Sequence, residues 1–235
     1  MSVHNLEKIF KPESIAVVGA SERPGSVGSA IMHKLTEAGF PGKIFPINPN
    51  YKTLWNLPAF PSLKELVDPI DLAVIAIPIA ETPGIIKECG QMNIGGAVVI
   101  SAGGKETGSK GARIEEAIKK EAENTGLRII GPNCLGVISN HARLNATFAP
   151  QMPLPGKMAF ISQSGAICGV ILGLSIKEKI GFSYFVSLGS MLDVDFGDII
   201  DYLGGDPSVS SIVMYIENLK TTAAQHVGPL YTDRL

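Results

Sequence analysis

Short runs of apolar residues alternate with amphipathic segments along the first half of the chain. The runs are rich in β-branched residues and apolar on both faces, which is typical of parallel strands covered by helices. They predict strands at residues 15–18, 43–47, 71–77, 97–101 and 128–130, with helices at 27–38, 62–67, 82–92 and 110–124 between them. This alternation predicts an α/β fold with a Rossmann-type, doubly wound parallel sheet, whose ligand crevice lies at the carboxyl ends of the strands.

A second α/β pattern follows residues 149–156, a stretch that contains three prolines and a glycine. We expect a linker there, a first domain over residues 1–149 and a second over 150–235. The second domain is predicted to contain strands at 157–161, 182–188 and 211–216 and helices that end near 179 and 203. Three strands are few for an independent sheet of this type, so this domain is expected to be incomplete.

The loop that leaves the first strand is the first candidate ligand site. Gly19 permits a tight turn, and Gly25 and Gly28 keep side chains away from the helix that follows. Unpaired N–H groups at a helix start carry partial positive charge and can hold a phosphate without a basic side chain. The glycine spacing is longer than the dinucleotide fingerprint and lacks the lysine of a P-loop, which does not favour ordinary NAD. The alternative is that these glycines only allow the strand and the helix to pack closely.

The composition narrows the class of partner. The 235 residues carry a net charge of −2, with 18% charged residues and no basic stripe, which argues against binding nucleic acid or an anionic membrane. No apolar run reaches the ~20 residues that span a bilayer. The three cysteines are scattered, so neither a disulfide framework nor a zinc site is indicated, and we expect a cytoplasmic protein. The four histidines lack metal-ligand spacing, so no metal site is expected.

Two further loops emerge at the same predicted edge of the sheet. Asn48, Pro49 and Lys52 follow the second strand, where a dinucleotide-binding fold recognises ribose. The acidic residue expected for a free 2′-hydroxyl is absent, and Lys52 with the Asn amides would suit a phosphorylated ribose; the alternative is a solvated turn. Asn133, in Gly131-Pro-Asn-Cys-Leu-Gly136, would point its amide into the crevice, or else close an Asx turn of its own.

The second domain repeats the strand–loop–helix pattern at Ser162-Gln-Ser-Gly165. A second phosphate or anion site is one interpretation of this motif, and a simple helix cap is the other. Glu217 ends a strand that is predicted to be buried, so its carboxylate is expected at the crevice. The acidic residues Asp193, Asp195 and Asp198 are attributed to a helix start rather than to a metal site.

Taken together, these motifs resemble a known family. They are I-A-V-V-G-A-S with G-S-V-G, F-P-I-N-P, a strand that ends in A-I-P, I-S-A-G, I-I-G-P-N-C-L-G, I-S-Q-S-G and Y-I-E. Over residues 6–219 the chain is similar to the N-terminal part of the ADP-forming acyl-CoA synthetases, close to the acetate–CoA ligase α subunit and related to the succinyl-CoA synthetase α subunit. The resemblance implies a first domain that binds coenzyme A (CoA) and a partial flavodoxin-like second domain that takes part in phosphoryl transfer.

The resemblance also implies which residues form the sites. CoA would be bound by the opening loop and by residues at the other strand ends, namely Gly19, Ala20, Ser21, Gly25, Ser26, Val27, Gly28, Asn48, Pro49, Lys52, Ile77, Pro78, Ser101, Ala102, Gly103 and Asn133. Phosphate would be bound by Ser162, Ser164 and Gly165. Glu217 would orient the imidazole of the family's phosphohistidine.

The implied reaction converts acyl-CoA to an enzyme-held acyl phosphate, whose phosphoryl group passes to a histidine and then to ADP. His226, in Q-H-V-G-P, does not match the family's histidine loop, and the ATP-grasp unit that would bring ADP or ATP and Mg is not recognised in this sequence. We therefore expect the CoA-binding portion of such an enzyme, inactive alone.

Its expected partners are CoA, short-chain acyl-CoA and a β-type ATP-grasp subunit or fused domain, in an oligomer. A stand-alone CoA-binding regulatory module is the alternative. An NAD(P)-binding Rossmann protein is less favoured, because the ribose carboxylate and a hydride-transfer acid are both absent.

Overall fold

The computed structural model describes residues 3–149 and 151–218, which fold into two five-stranded sheets and a short hairpin. In chain order the helices and strands are α1 (Leu6–Phe10), β1 (Ser14–Val18), α2 (Val27–Glu37), β2 (Lys43–Ile47), β3 (Thr53–Leu54), β4 (Leu57–Pro58), β5 (Leu72–Ile75), α3 (Thr82–Gln91), β6 (Gly96–Val99), α4 (Ser109–Glu123), β7 (Arg128–Ile130), β8 (Gly136–Ser139), β9 (Leu144–Thr147), β10 (Leu154–Ser162), α5 (Gly165–Lys177), β11 (Gly181–Ser187), α6 (Phe196–Gly204) and β12 (Ser211–Tyr215). Among the residues described, no helix is long and apolar enough to cross a membrane.

The first sheet confirms the predicted Rossmann-type arrangement. Its five strands are parallel, in the order β2-β1-β5-β6-β7. Every residue of β1, β5, β6 and β7 is buried, as expected for strands with a helical layer on each face. Leu6 of α1 and Ile31 of α2 belong to the core on one face, and Ile86 of α3 and Ile118 of α4 to the core on the other.

The helix predicted at residues 62–67 is wrong. The structure has a single 3-10 turn there, Leu63–Glu65. Leu66 already has extended backbone angles, with φ −79° and ψ 132°. Pro69 also disfavours a helical conformation of Asp68, so a helix could not extend past this turn into the next strand without interruption.

The second sheet is mixed, in the order β12-β10-β11-β8-β9. β10, β11 and β12 are parallel and lie close to the predicted positions, whereas β8 is antiparallel to both β11 and β9. The β8–β9 hairpin is not among the predicted elements. The two sheets therefore divide between Ile130 and Gly136, ahead of the expected linker, and β10 already begins at Leu154, within the stretch expected to be that linker.

One hydrophobic core joins the two sheets. Phe10 of α1 packs edge-on against Tyr184 of β11, with ring centroids 5.7 Å apart, and stacks on Tyr202 of α6 at 5.2 Å. Phe10 and Tyr184 are fully buried in the same cluster as Val17 of β1. This shared core holds the loops of the two sheets against each other.

A partly buried ion-pair network reinforces this junction. Nε of Arg128 in β7 lies 2.9 Å from Oδ2 of Asp193, and Nη2 lies 2.7 Å from Oδ2 of Asp198. Asp195 accepts the backbone N–H of Asp198 at 3.1 Å and caps α6. This confirms that Asp195 and Asp198 belong to a helix start. Asp193 lies two residues before the cap, and it neutralises Arg128 together with Asp198. The part of the chain that the structure describes contains no group of three His, Cys, Asp or Glu that could hold a metal ion.

Candidate functional site

A cleft of about 940 Å³ lies where the carboxyl ends of the first sheet face the start of α5. Of the predicted site residues, Val27, Ile77, Ser101, Ala102, Asn133, Ser164, Gly165 and Glu217 line this cleft. Gly25 and Ser26, again with Val27, line a neighbouring depression of about 390 Å³ beside Trp55. The remaining predicted residues, Gly19, Ala20, Ser21, Gly28, Asn48, Pro49, Lys52, Pro78, Gly103 and Ser162, line neither.

Close packing explains two glycines of the opening loop. A Cβ on Gly28 would overlap the carbonyl oxygen of Gly19, and a Cβ on Gly19 would overlap that of Ala76. Gly25, in contrast, faces open space but has a φ of +77°, which favours glycine. Gly28 is therefore needed for the contact between β1 and α2, as the packing alternative predicts.

The start of α2 nevertheless offers hydrogen-bond donors. The Oγ atom of Ser26 accepts the backbone N–H of Ser29 at 3.3 Å and caps the helix. Within the described residues, the backbone N–H groups of Val27 and Gly28 have no acceptor. These two donors, at the positive end of the helix dipole, can hold an anion.

Side chains that follow β2 form hydrogen bonds to the backbone of the opening loop, residues 19–28. Nδ2 of Asn48 donates to the carbonyl of Ala20 at 2.8 Å, and its Oδ1 accepts the N–H of Asn50 at 3.0 Å. Nε1 of Trp55 donates to the carbonyl of Ser21 at 3.0 Å. The amide of Asn48 is thus engaged in a turn and in holding the loop, while Lys52 is exposed and has no ion pair within the described residues.

The ends of β5, β6 and β7 are joined at the cleft floor. Oγ of Ser101 donates to the carbonyl of Ile77 at 2.6 Å, and the carbonyl of Ser101 accepts the N–H of Asn133 at 2.9 Å. Asn133 is exposed, with a φ of 55°, and its side chain has no hydrogen-bond partner within residues 3–149 and 151–218. The Asx-turn alternative for Asn133 is therefore wrong, and its amide is available to a ligand.

The Ser162-Gln-Ser-Gly165 motif caps α5. Oγ of Ser162 accepts the N–H of Ser164 at 3.0 Å, and Oγ of Ser164 accepts the N–H of Ile167 at 3.4 Å. Both hydroxyl groups thus serve the cap, as one interpretation predicts. The backbone N–H groups of Gly165 and Ala166 find no acceptor in the described part of the chain, so an anion can still bind at this helix start.

Glu217 lies in the cleft, but the strand that leads to it is not buried as predicted. β12 pairs only with β10 among the described strands, and as an edge strand it leaves Val213 43% and Met214 42% exposed. Oε1 of Gln163 accepts the N–H groups of Glu217 at 2.7 Å and Asn218 at 2.9 Å. His226 lies outside the described residues.

Several cleft residues are missing from the sequence prediction. Lys105 is the one lysine or arginine among the described residues that line the cleft, and its Nζ donates to the carbonyl of Ser190 at 3.1 Å. The position of Lys105 in the polar loop after β6, at the carboxyl end of a strand, could have identified it as a cleft residue from the sequence. Phe148 and Ser190 also line the cleft, but they reach it through the β8–β9 hairpin and the packing of the second sheet, which no local pattern indicates.

The cleft contains an unreactive thiol, that of Cys134. Sγ of Cys134 donates to the carbonyl of Val99 at 3.3 Å. Burial raises the pKa of Cys134 to about 12. The thiol is protonated at neutral pH, so Cys134 is not a nucleophile in this cleft.

Comparison with known proteins gives the family. Residues 13–140 match the CoA binding domain, and residues 155–225 match the succinyl-CoA ligase like flavodoxin domain. The chain is 40% identical over 215 residues to an ADP-forming acetate–CoA ligase I of Archaeoglobus fulgidus, covering 92% of this chain and 31% of the relative. It is 40% identical over 220 residues to the α subunit of ADP-forming acetate–CoA ligase I of Pyrococcus furiosus, covering 92% of this chain and 48% of that subunit.

A solved structure agrees with these relatives. The "dinucleotide forming Acetyl-coenzyme A synthetase 1" of Ca. Korarchaeum cryptofilum, in complex with phosphate and ADP, matches with a TM-score of 0.90 and 40% identity. The match covers 94% of this chain and 47% of that one, so the chain spans a third to a half of the length of these relatives. The chain therefore belongs to the CoA binding domain family, and it matches the CoA-binding portion of ADP-forming acyl-CoA synthetases.

Proposed function

We propose that this chain serves an ADP-forming acyl-CoA synthetase by bringing CoA and inorganic phosphate together in its cleft. The observation that carries the proposal is that the starts of α2 and α5, at Val27 and Gly165, open on the same cleft. Each helix start offers unpaired N–H groups, and both CoA and phosphate are anions. A cleft with two such starts suits a reaction between the two ligands.

The CoA diphosphate would lie on the N–H groups of Val27 and Gly28, in the loop from Gly19 to Gly28. Lys52, which is exposed and has no ion pair among the described residues, would bind the phosphate on the CoA ribose. The pantetheine arm would then cross Ile77, Pro78, Ser101, Ala102 and Gly103. The free amide of Asn133 is placed to donate to its polar groups.

Phosphate at Gly165 would attack the acyl carbonyl. The new phosphate–acyl bond forms as the C–S bond breaks, and CoA leaves as a thiolate that takes up a proton. Glu217 would orient the histidine that accepts the phosphoryl group. ADP and Mg would be supplied by an ATP-grasp subunit or domain, so this chain alone forms no ATP. Acetate–CoA ligases among the relatives support a short-chain acyl-CoA.

A stand-alone regulatory module would use the same CoA site. It would not need a carboxylate tied to the start of α5, as Glu217 is through Gln163. This attachment favours the ligase.

Calorimetry with CoA, NAD⁺ and NADP⁺ tests the proposal. CoA should bind one to one, and Asn133→Gly, which keeps the positive φ but removes the amide, should weaken CoA binding about tenfold. Asn93→Gly is the matched control, because Asn93 has a φ of 55° and does not line the cleft. Tighter binding of NAD⁺ than of CoA, or equal effects of the two variants, would overturn the proposal.

A further inference from the structure

One side chain ties the end of β12 to the start of α5. Oε1 of Gln163 accepts the backbone N–H of Glu217 at 2.7 Å and that of Asn218 at 2.9 Å. The backbone N–H of Gln163 itself donates to the carbonyl of Tyr215 at 3.2 Å. Gln163 is therefore hydrogen-bonded to the chain on both sides of Ile216, directly after the end of β12.

This tether fixes the place of Glu217. In the part of the chain that the structure describes, the carboxylate of Glu217 has no ion pair, and the other residues of its segment are exposed. The preceding strand is an edge strand with an exposed apolar surface. Among the described residues, these two hydrogen bonds and the pairing of β12 with β10 hold the backbone of Glu217 at the cleft.

We propose that Gln163 is a positioning residue, which holds the carboxylate of Glu217 beside the anion-binding start of α5. The proposal rests on the proposed function of that helix start. Gln163 is followed directly by Ser164 and Gly165, so the same three residues build the helix start and hold Glu217. Gln163 and Glu217 line the same cleft as Gly165.

The chemistry of the amide suits this role. The carbonyl oxygen of a glutamine has two lone pairs and accepts two N–H donors without a charge. A carboxylate at residue 163 would accept the same two donors but would repel a phosphate at Gly165. A lysine or arginine there would attract phosphate but could accept neither N–H group.

Amide hydrogen exchange on the whole chain tests the tether. Gln163→Met removes the acceptor at similar length and should speed exchange of the Glu217 and Asn218 amides about tenfold, while the amides of the β10–β12 ladder keep their rates. Gln163→Glu retains an acceptor and should restore the protection. Gln91→Met is the control, since Gln91 is an exposed glutamine at the end of α3. Unchanged exchange in Gln163→Met would overturn the proposal.

Phosphate titration followed at the ¹³C carboxyl signal of Glu217 separates positioning from a merely structural role. In the wild-type chain, phosphate should shift this signal; in Gln163→Met, phosphate should still bind but the shift should be lost. A shift that persists in Gln163→Met would show that Glu217 finds its place without Gln163, and would refute the positioning role.

Gln163→Glu should show protected amides but phosphate binding weakened by the added charge. If the wild-type chain binds CoA but no phosphate, the anion site at α5 and Gln163's role beside it both fail, while the CoA site stands.

Discussion

Arg128 and Asp193 join the two sheets through a hydrogen-bonded ion pair, with Nε of Arg128 2.9 Å from Oδ2 of Asp193. The same Asp193 oxygen accepts the backbone N–H of Ile129 at 2.8 Å. The other side of the guanidinium binds Asp198 of α6. The pair thus clamps the last strand of the first sheet to the segment that carries Ser190 into the cleft.

Removing this cation should destabilise the protein strongly. Arg128→Met leaves the buried carboxylate of Asp198 and the partly buried carboxylate of Asp193 without their cation, and we expect the free energy of unfolding to fall by about 3 kcal/mol. Urea denaturation at neutral pH measures the change. Lys119→Met, which removes a lysine from an exposed pair with Glu123, should cost less than ~0.5 kcal/mol. Equal losses in the two variants would contradict the clamp.

Gly28 should prove to be a packing residue. Because its Cβ would overlap the Gly19 carbonyl, Gly28→Ala should lower the free energy of unfolding by about 2 kcal/mol or more. Gly84→Ala, in α3 with open space around it, should be neutral or slightly stabilising. Thermal unfolding of both variants is the measurement. A Gly28→Ala protein as stable as the wild type would mean that α2 does not pack on β1 as described.

Lys52 should recognise the phosphate on the CoA ribose. Lys52→Ala should weaken the binding of CoA roughly tenfold and leave the affinity for dephospho-CoA unchanged, because only CoA carries that charge. Lys87→Ala removes another exposed lysine, from α3, and should change neither affinity. Calorimetry with both ligands decides. Equal affinities of the wild-type chain for CoA and dephospho-CoA would contradict this role and favour the alternative, that Lys52 belongs to a solvated turn.

Asp206 should make the protein sensitive to acid. Burial opposes ionisation of its carboxyl, but hydrogen bonds from Ser208 and Tyr184 outweigh it and hold the pKa of Asp206 well below its usual range. Since the folded pKa is below the unfolded value of about 4, the stabilisation is present above pH ~4 and is lost as the pH falls through the folded pKa.

The comparison of wild type with Asp206→Asn isolates this effect. The difference in the free energy of unfolding should be larger at pH 7 than at pH 3. A difference in the free energy of unfolding that is the same at both pH values would contradict the lowered pKa of Asp206.

Local patterns predicted the parts of the fold that local physics determines. Ile15 to Val18 is apolar on both faces, and the structure buries all of it between helices. Ser26 and Ser164 cap the helices that were expected to start beside them. Such features depend on a few neighbouring residues, so one sequence suffices to find them.

The missed features depend on distant partners. β8 and β9 are four residues each: β8 gains its place by pairing with β11, more than forty positions further along the chain, and β9 pairs with β8. The partners of Arg128 lie 65 and 70 positions away. β12 has a buried-strand composition but is exposed at the sheet edge in the described residues. The spacing of apolar residues along the chain carries no information about such distant partners.

The structure of this chain with CoA bound tests the central claim most directly. We predict that the CoA diphosphate lies within hydrogen-bonding distance of the N–H groups of Val27 and Gly28, and that the pantetheine arm runs past Asn133 toward Gly165. CoA bound away from the start of α2, or with its thiol end outside the cleft, would contradict the account.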